Sequence, residues 1–131
     1  MQDYRKLRVW QKAHALTLRT YAVSATFKRP ESWSLRDQMT RAAISVPSNI
    51  AEGSGRGTDR DFRRFLWHSV GSCNELEYDF LLARDLNLLP AGTHGELAEQ
   101  VGEVRRMLTG LVECLGEESQ NSNSRYPGTR I

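Results

Sequence analysis

Residues 62–83, FRRFLWHSVGSCNELEYDFLLA, carry the clearest indication of fold class in this chain. Apolar and small side chains recur there in alternating steps of four and three residues, at Phe62, Leu66, Ser69, Cys73, Leu76, Phe80 and Ala83. This spacing is typical of a helix that buries one face in a bundle. Thr58 lies upstream with Asp61 three residues on, the pattern of an N-terminal cap. The stretch therefore predicts a helix from about residue 58 to residue 87.

Three further segments show helical periodicity, at about residues 7–27, 32–52 and 93–115. Each is bounded by proline or glycine, and none alternates with the period of two that marks a strand. Short connections between helices favour antiparallel neighbours. We therefore predict an all-α domain, an antiparallel up-down four-helix bundle over residues 1–116. Residues 117–131 are polar and rich in Ser and Asn, which predicts a disordered tail.

Pro47 lies inside the second segment, although the apolar period continues beyond it. A proline there lacks a backbone donor, and its ring clashes with the carbonyl of Ala43. The sequence therefore predicts a kinked second helix rather than two separate ones. The glycine-rich run at residues 53–57 is expected to end that helix.

The composition is that of a folded protein, with 39% hydrophobic and 26% charged residues in 131. No apolar run is long enough to cross a membrane, and the N-terminal residues do not have the pattern of a signal peptide. We therefore expect a cytoplasmic protein in which Cys73 and Cys114 remain reduced.

The net charge of +2 hides an uneven distribution. Residues 1–64 hold 13 Lys and Arg against 6 Asp and Glu, whereas residues 65–131 hold 5 against 10. A basic surface of this kind attracts nucleic acid without regard to sequence. Solvated side chains, or pairing with the acidic half in another subunit, would explain the same pattern. The candidate nucleic-acid-binding residues are Arg5, Lys6, Arg8, Lys12, Arg19, Arg56 and Arg60.

Sequence patterns for catalysis are missing from this chain. No histidine follows a glutamate in the Glu-x-x-His spacing of di-iron bundles, and no Gly-Lys-Ser/Thr follows the glycines at 53–57. His68 and Cys73 are five positions apart, so they do not share a helix face. We therefore expect no enzymatic activity, no metal and no cofactor. The glycine run, with Arg56 and Arg60, could at most contact a phosphate weakly.

Glu75 lies next to the apolar seam of residues 62–83. A carboxylate there needs a partner, because burying an isolated charge is costly. We expect Arg41 to supply it, in a structural polar tie between the second and third helices.

Three stretches resemble one known family: residues 4–13 (YRKLRVWQKA), residues 38–55 (QMTRAAISVPSNIAEGSG) and residues 62–83. They are similar to the four-helix-bundle proteins encoded in intervening sequences of bacterial large-subunit ribosomal RNA genes. That family also includes relatives of the accessory variability determinant proteins of diversity-generating retroelements. The resemblance covers about residues 4–116. It implies a bundle that assembles into a ring-like homopentamer without enzymatic activity. For the retroelement relatives it implies binding to nucleic acid and to a reverse transcriptase.

Two functional hypotheses follow. The first is a non-catalytic, homo-oligomeric scaffold, pentameric as the resemblance implies, that binds RNA or DNA through its basic surface. The second is a protein-interaction module that does not bind nucleic acid. It rests on a second apolar strip along the first helix, formed by Leu7, Leu18 and Tyr21.

Overall fold

Four α-helices form the chain in its computed structural model, which describes the backbone of residues 3–123 and the side chains of residues 3–116. They are α1 (Arg8–Ser24), α2 (Trp33–Ser54), α3 (Asp59–Asp85) and α4 (Ala91–Asn123). Short 3-10 turns at Tyr4–Lys6 and Pro30–Ser32 precede α1 and α2. The described residues contain no strand, so the predicted all-α class is confirmed.

The fourth helix is longer than its apolar period indicates, because it continues to Asn123 rather than ending near residue 115. The predicted tail begins at residue 117. Its side chains, and all of residues 124–131, lie outside the described residues. The boundary of the bundle at residue 116 therefore stays a prediction.

The interior is built around α3, as the sequence indicates. All seven residues of its four-and-three seam are buried, including Phe80 and Leu76, which have no exposed surface. The N-terminus of the helix is capped as predicted, because the Thr58 hydroxyl accepts a hydrogen bond from the Asp61 N–H at 3.2 Å. At the other end Asn87 adopts a positive φ of 60°, a left-handed conformation that commonly terminates helices.

The helices pack in a closed order. α1 packs against α2 and α4, and α3 packs against the same two helices. Late residues of α2 lie beside early residues of α3, since Gly53 meets Phe62, whereas Gln38 lies beside Asp79 near the other end. This packing is consistent with the predicted up-down order.

The second helix contains Pro47 in one continuous span. Proline has no N–H for the carbonyl of Ala43, one turn earlier. The Thr17 hydroxyl of α1 takes the place of that donor at 2.9 Å from the Ala43 oxygen. The same hydroxyl lies 2.9 Å from the Ala13 carbonyl of its own helix. The polar group exposed by the proline is therefore satisfied from the neighbouring helix, as burial requires.

The glycine run at residues 53–57 ends α2 as predicted, with Ser54 as the last helical residue and Gly55 as the C-terminal cap. Gly53 itself lies inside the helix and is buried. A Cβ at this position would lie 2.8 Å from the Cβ of Phe65 and 2.9 Å from Cδ1 of Phe62. The glycine therefore allows α2 and α3 to approach closely.

The polar tie expected between Arg41 and Glu75 is not formed. Both side chains are exposed, and no ion pair joins them among the described residues. The polar tie between these helices involves Asp79, one helical turn after Glu75. Its Oδ1 accepts a hydrogen bond from Gln38 Nε2 at 2.8 Å. Asp79 lies closer to the centre of the α3 seam, so it is the carboxylate that is fully buried.

Candidate interaction surfaces

The basic residues in the middle of α1 face acidic residues of α4. Lys12 Nζ lies 3.3 Å from Glu103 Oε1, and an Arg19 guanidinium nitrogen lies 3.2 Å from Glu96 Oε2. The acidic half of the sequence thus pairs with the basic half inside one subunit. The charges of Lys12 and Arg19, two of the seven predicted nucleic-acid-binding residues, are therefore partly neutralised within the bundle.

The other five predicted residues collect at one end of the bundle, which we call the basic pole and define as segments 3–8 and 52–64. The segments adjoin because Tyr4 and Ala51 line one groove and Gly53 lies against Phe62. They hold seven Lys and Arg against four Asp and Glu. The predicted members are Arg5, Lys6, Arg8, Arg56 and Arg60. The fold thus concentrates positive charge that the sequence spreads over about 60 positions.

Members of the basic pole differ in how strongly they are engaged. Arg5 contacts Asp3 at 3.1 Å, which lowers the pKa of that carboxyl, and Arg56 contacts Glu52 at 2.8 Å. Lys6 and Arg8 are exposed and form no ion pair with any described residue. These two have the most charge to offer an external anion.

The glycine loop before α3 leads into a helix N-terminus that carries two carboxylates. Asp59 and Asp61 lie in the first turn of the helix, where their negative charge already complements the helix dipole. Arg56 lies over the ring of Phe65, with 4.8 Å from its Cζ to the ring centroid. Arg64 lies 4.7 Å from the same ring. Cation–π contacts of this kind hold the guanidinium groups at the surface of the pole.

An open groove of about 280 Å³ runs between α1 and α2. Its lining residues are Tyr4, Trp10, His14, Thr17, Ile44, Pro47, Ser48 and Ala51, with no carboxylate among them. The rings of Trp10 and His14 stack at 5.0 Å and 7° between planes. Tyr4 meets Trp10 edge-on, also at 5.0 Å. This aromatic site is not among the sequence predictions, although the spacing of four residues between Trp10 and His14 places them on one helix face.

Large apolar side chains remain exposed on α1 and α3, and also at Trp33 and Ile44 of α2. On α1, Leu18 is 58% exposed and Tyr21 47%, which confirms two members of the predicted second strip. Leu7, the third, is partly buried against the core. On α3, Trp67, Tyr78 and Leu81 are exposed and lie on the side away from its buried seam. These faces are suited to contact with another protein surface.

The two cysteines of the chain lie in different surroundings. Burial raises the pKa of the Cys73 thiol to about 12, so the thiol is held in its unreactive form. Cys114 is exposed, without a disulfide partner. Within residues 3–116, no group of three or more His, Cys, Asp or Glu side chains could hold a metal ion. The structure also contains no described helix of the length and hydropathy needed to span a membrane.

The family is decided by a match over most of the chain. Residues 5–110 match the model of the 23S rRNA-intervening sequence protein family. The chain belongs to this family. The match to the intervening sequence family includes α1, α2 and α3 in full and most of α4, so it covers the basic pole and the aromatic groove except for residues 3 and 4.

A solved structure supports the same fold for this member of the intervening sequence family. It is a protein with unknown function from the S23 ribosomal protein family of Bacteroides thetaiotaomicron. The two share 18% sequence identity with a TM-score of 0.75, over 79% of this chain and 97% of the other. No curated protein matches the chain.

Proposed function

We propose that this intervening sequence protein is a non-catalytic, homo-oligomeric scaffold that attracts RNA or DNA to its basic pole. The observation that carries the proposal is the gathering of Arg5, Lys6, Arg8, Arg56 and Arg60 at one end of the bundle. In a ring of subunits this charge would repeat around the assembly. A pentameric ring is what the family resemblance implies.

Internal ion pairs do not prevent the pole from binding an anionic polymer. The pairs Arg5–Asp3 and Arg56–Glu52 are exposed, so water screens the attraction within each pair. A phosphate can therefore replace the carboxylate at little cost. Release of counterions from the nucleic acid supplies the favourable free energy, without sequence preference.

The proposal includes two finer features of the fold. The helices run up and down in antiparallel order, which brings the start of α1 to the same end as the α2–α3 connection. The helix α2 bends at Pro47, where its own hydrogen-bond ladder lacks one donor.

A mobility-shift assay with single-stranded RNA and DNA tests the function. We expect retardation at low salt that weakens steadily as salt is raised, with similar affinity for unrelated sequences. Absence of retardation for both polymers at low salt would contradict nucleic-acid binding. Light scattering on the same sample reports the assembly, and a mass of one 14.9 kDa chain would contradict the scaffold.

The exposed apolar faces favour a second candidate, a protein-interaction module that does not bind nucleic acid. Leu18 and Tyr21 on α1 would form one contact surface, and Trp67 and Tyr78 on the diagonally placed helix α3 would form another. A reverse transcriptase is the partner expected if the chain serves a retroelement, and genes beside its own would identify that setting. Affinity purification after nuclease treatment tests this candidate. A stoichiometric protein partner that is lost in Tyr78→Lys would favour it over the first.

A further inference from the structure

The groove between α1 and α2 has an exposed ring surface, which none of the side chains described in residues 3–116 covers completely. Trp10 is partly buried against the core, and His14 stacks on it at 5.0 Å with nearly parallel planes. His14 itself is exposed. The stack therefore begins in the core and ends at an imidazole open to solvent.

The groove around this stack combines apolar side chains with the hydroxyls of Thr17 and Ser48. Ile44 and Pro47 form the opposite wall from α2. No carboxylate lines the groove, and its Tyr4 end adjoins the basic pole, where Arg5 lies 5.8 Å from the Tyr4 ring centroid. A ligand that contacts both the groove and the basic pole therefore needs a flat π-face and a negative charge close to it.

The groove is too shallow to enclose a small molecule. Its volume of about 280 Å³ falls just under the roughly 300–1,000 Å³ of typical ligand pockets, and one side is open. An open aromatic ledge beside cations is instead how proteins bind single-stranded nucleic acid, with bases on the rings and phosphates on the Lys and Arg.

We propose that the Trp10–His14 stack is a platform for an unpaired base, and that the cations of the basic pole beside Tyr4 hold the phosphates of the same strand. The inference rests on the proposed function and narrows it to single strands. Paired bases are stacked inside a duplex and do not reach the ledge, so a duplex engages only the charges of the pole.

Trp10 is the natural reporter for this site, because Trp33 and Trp67 are the chain's other two tryptophans and lie elsewhere. The full chain carrying Trp33→Phe and Trp67→Phe is titrated with a dT 12-mer and with a 12-base-pair duplex. We expect the single strand to quench Trp10 fluorescence strongly. The duplex should be retarded in the gel at low salt without that quenching.

His14→Ala supplies the second measurement, since the exposed ring can be removed without opening the core. Loss of one stacked base should weaken single-strand affinity by about five-fold or more and leave duplex affinity unchanged. His94→Ala is the matched control, because His94 lies at the start of α4 and outside the groove. It should change neither affinity.

The outcomes separate the platform from the proposed function. Retardation of single strands without quenching, or with equal affinity in His14→Ala, overturns the platform and leaves binding at the pole intact. Absence of any retardation overturns both. Shielding of Trp10 from acrylamide that grows with protein concentration would assign the groove to a second copy of the chain, and would also overturn the platform.

Discussion

Asp79 is the residue whose environment differs most from that of an ordinary surface carboxylate. Its side chain has no exposed surface, and Oδ2 has no hydrogen-bond partner among the described residues. Burial raises its pKa from 3.8 to about 6, against the smaller opposing effect of the Gln38 hydrogen bond. Glu75, one turn away, adds a further upward shift. At neutral pH the fold therefore holds a charge that it would be more stable without.

Asp79→Asn should stabilise the protein at pH 7.5 and not at pH 4. The folded state keeps the proton between pH 3.8 and about 6 whereas the unfolded state loses it, so the contribution of Asp79 to stability is full below pH 3.8 and is lost as pH rises through 6. Thermal melts of both proteins from pH 4 to 7.5 measure this. The difference in Tm should widen as pH rises, and a constant difference would contradict the raised pKa.

Glu75→Ala should behave as a surface substitution. Glu75 and Glu99 are both exposed, and Glu75 makes no ion pair with a described residue. Urea unfolding of Glu75→Ala and Glu99→Ala should give free energies within about 0.5 kcal/mol of the parent chain. A much larger loss for Glu75→Ala would indicate that the tie to Arg41 forms after all.

At the scale of the helix, a single hydroxyl of α1 satisfies the α2 carbonyl that Pro47 leaves without a donor. Thr17→Val keeps the side-chain shape but leaves the Ala43 carbonyl without its donor. An unsatisfied buried polar group costs about 1–3 kcal/mol, which denaturant unfolding would detect.

Pro47→Ala provides the control in a double-mutant cycle, because an alanine at this position restores the N–H that the Ala43 carbonyl lacks. Thr17→Val should therefore cost less in the Pro47→Ala background. Equal costs in both backgrounds would show that the hydroxyl does not compensate for the proline.

Gly53 and Gly71 form a second matched pair of helical glycines. Gly53→Ala forces a Cβ to within 2.8 Å of Phe65 Cβ, and such overpacking typically costs about 1–3 kcal/mol. A Cβ added at Gly71 would meet nothing within 4 Å, so Gly71→Ala should gain about 0.5–1 kcal/mol from helix propensity. Calorimetry should show Tm moving in opposite directions, and a gain at both sites would contradict close packing at Gly53.

Periodicity within one helix predicts what that helix buries, and it predicts every seam residue of α3 from Phe62 to Ala83. The position of Pro47 within a helix likewise identifies the Ala43 carbonyl as the one left without a donor. It cannot find Thr17 as the replacement, because that depends on how two helices sit against each other. The same limit explains why the sequence favours Glu75 over Asp79, although Asp79 lies about 40° nearer the centre of the buried face.

At the scale of the whole molecule, the fold decides which basic residues lie beside acidic ones, and the order of charges along the sequence does not. The middle of α1 is partly balanced by α4 through Lys12–Glu103 and Arg19–Glu96. The excess of cations over carboxylates lies on the basic pole, segments 3–8 and 52–64. The sequence assigns all seven candidate nucleic-acid-binding residues to one basic surface. It cannot reveal which of these cations lie beside carboxylates after folding.

The salt dependence of single-strand binding tests the basic pole most directly, with two variants of equal charge change. Lys6→Gln/Arg8→Gln removes two cations of the pole, and Lys12→Gln/Arg19→Gln removes the two that face α4. Each lost phosphate contact lowers the slope of log Kobs against log salt by about 0.7 for a single strand. The pole variant should therefore lose about 1.4 from the slope, and the α4-facing variant much less. Equal loss in both variants, or a greater loss in the second, would contradict the basic pole as the binding surface.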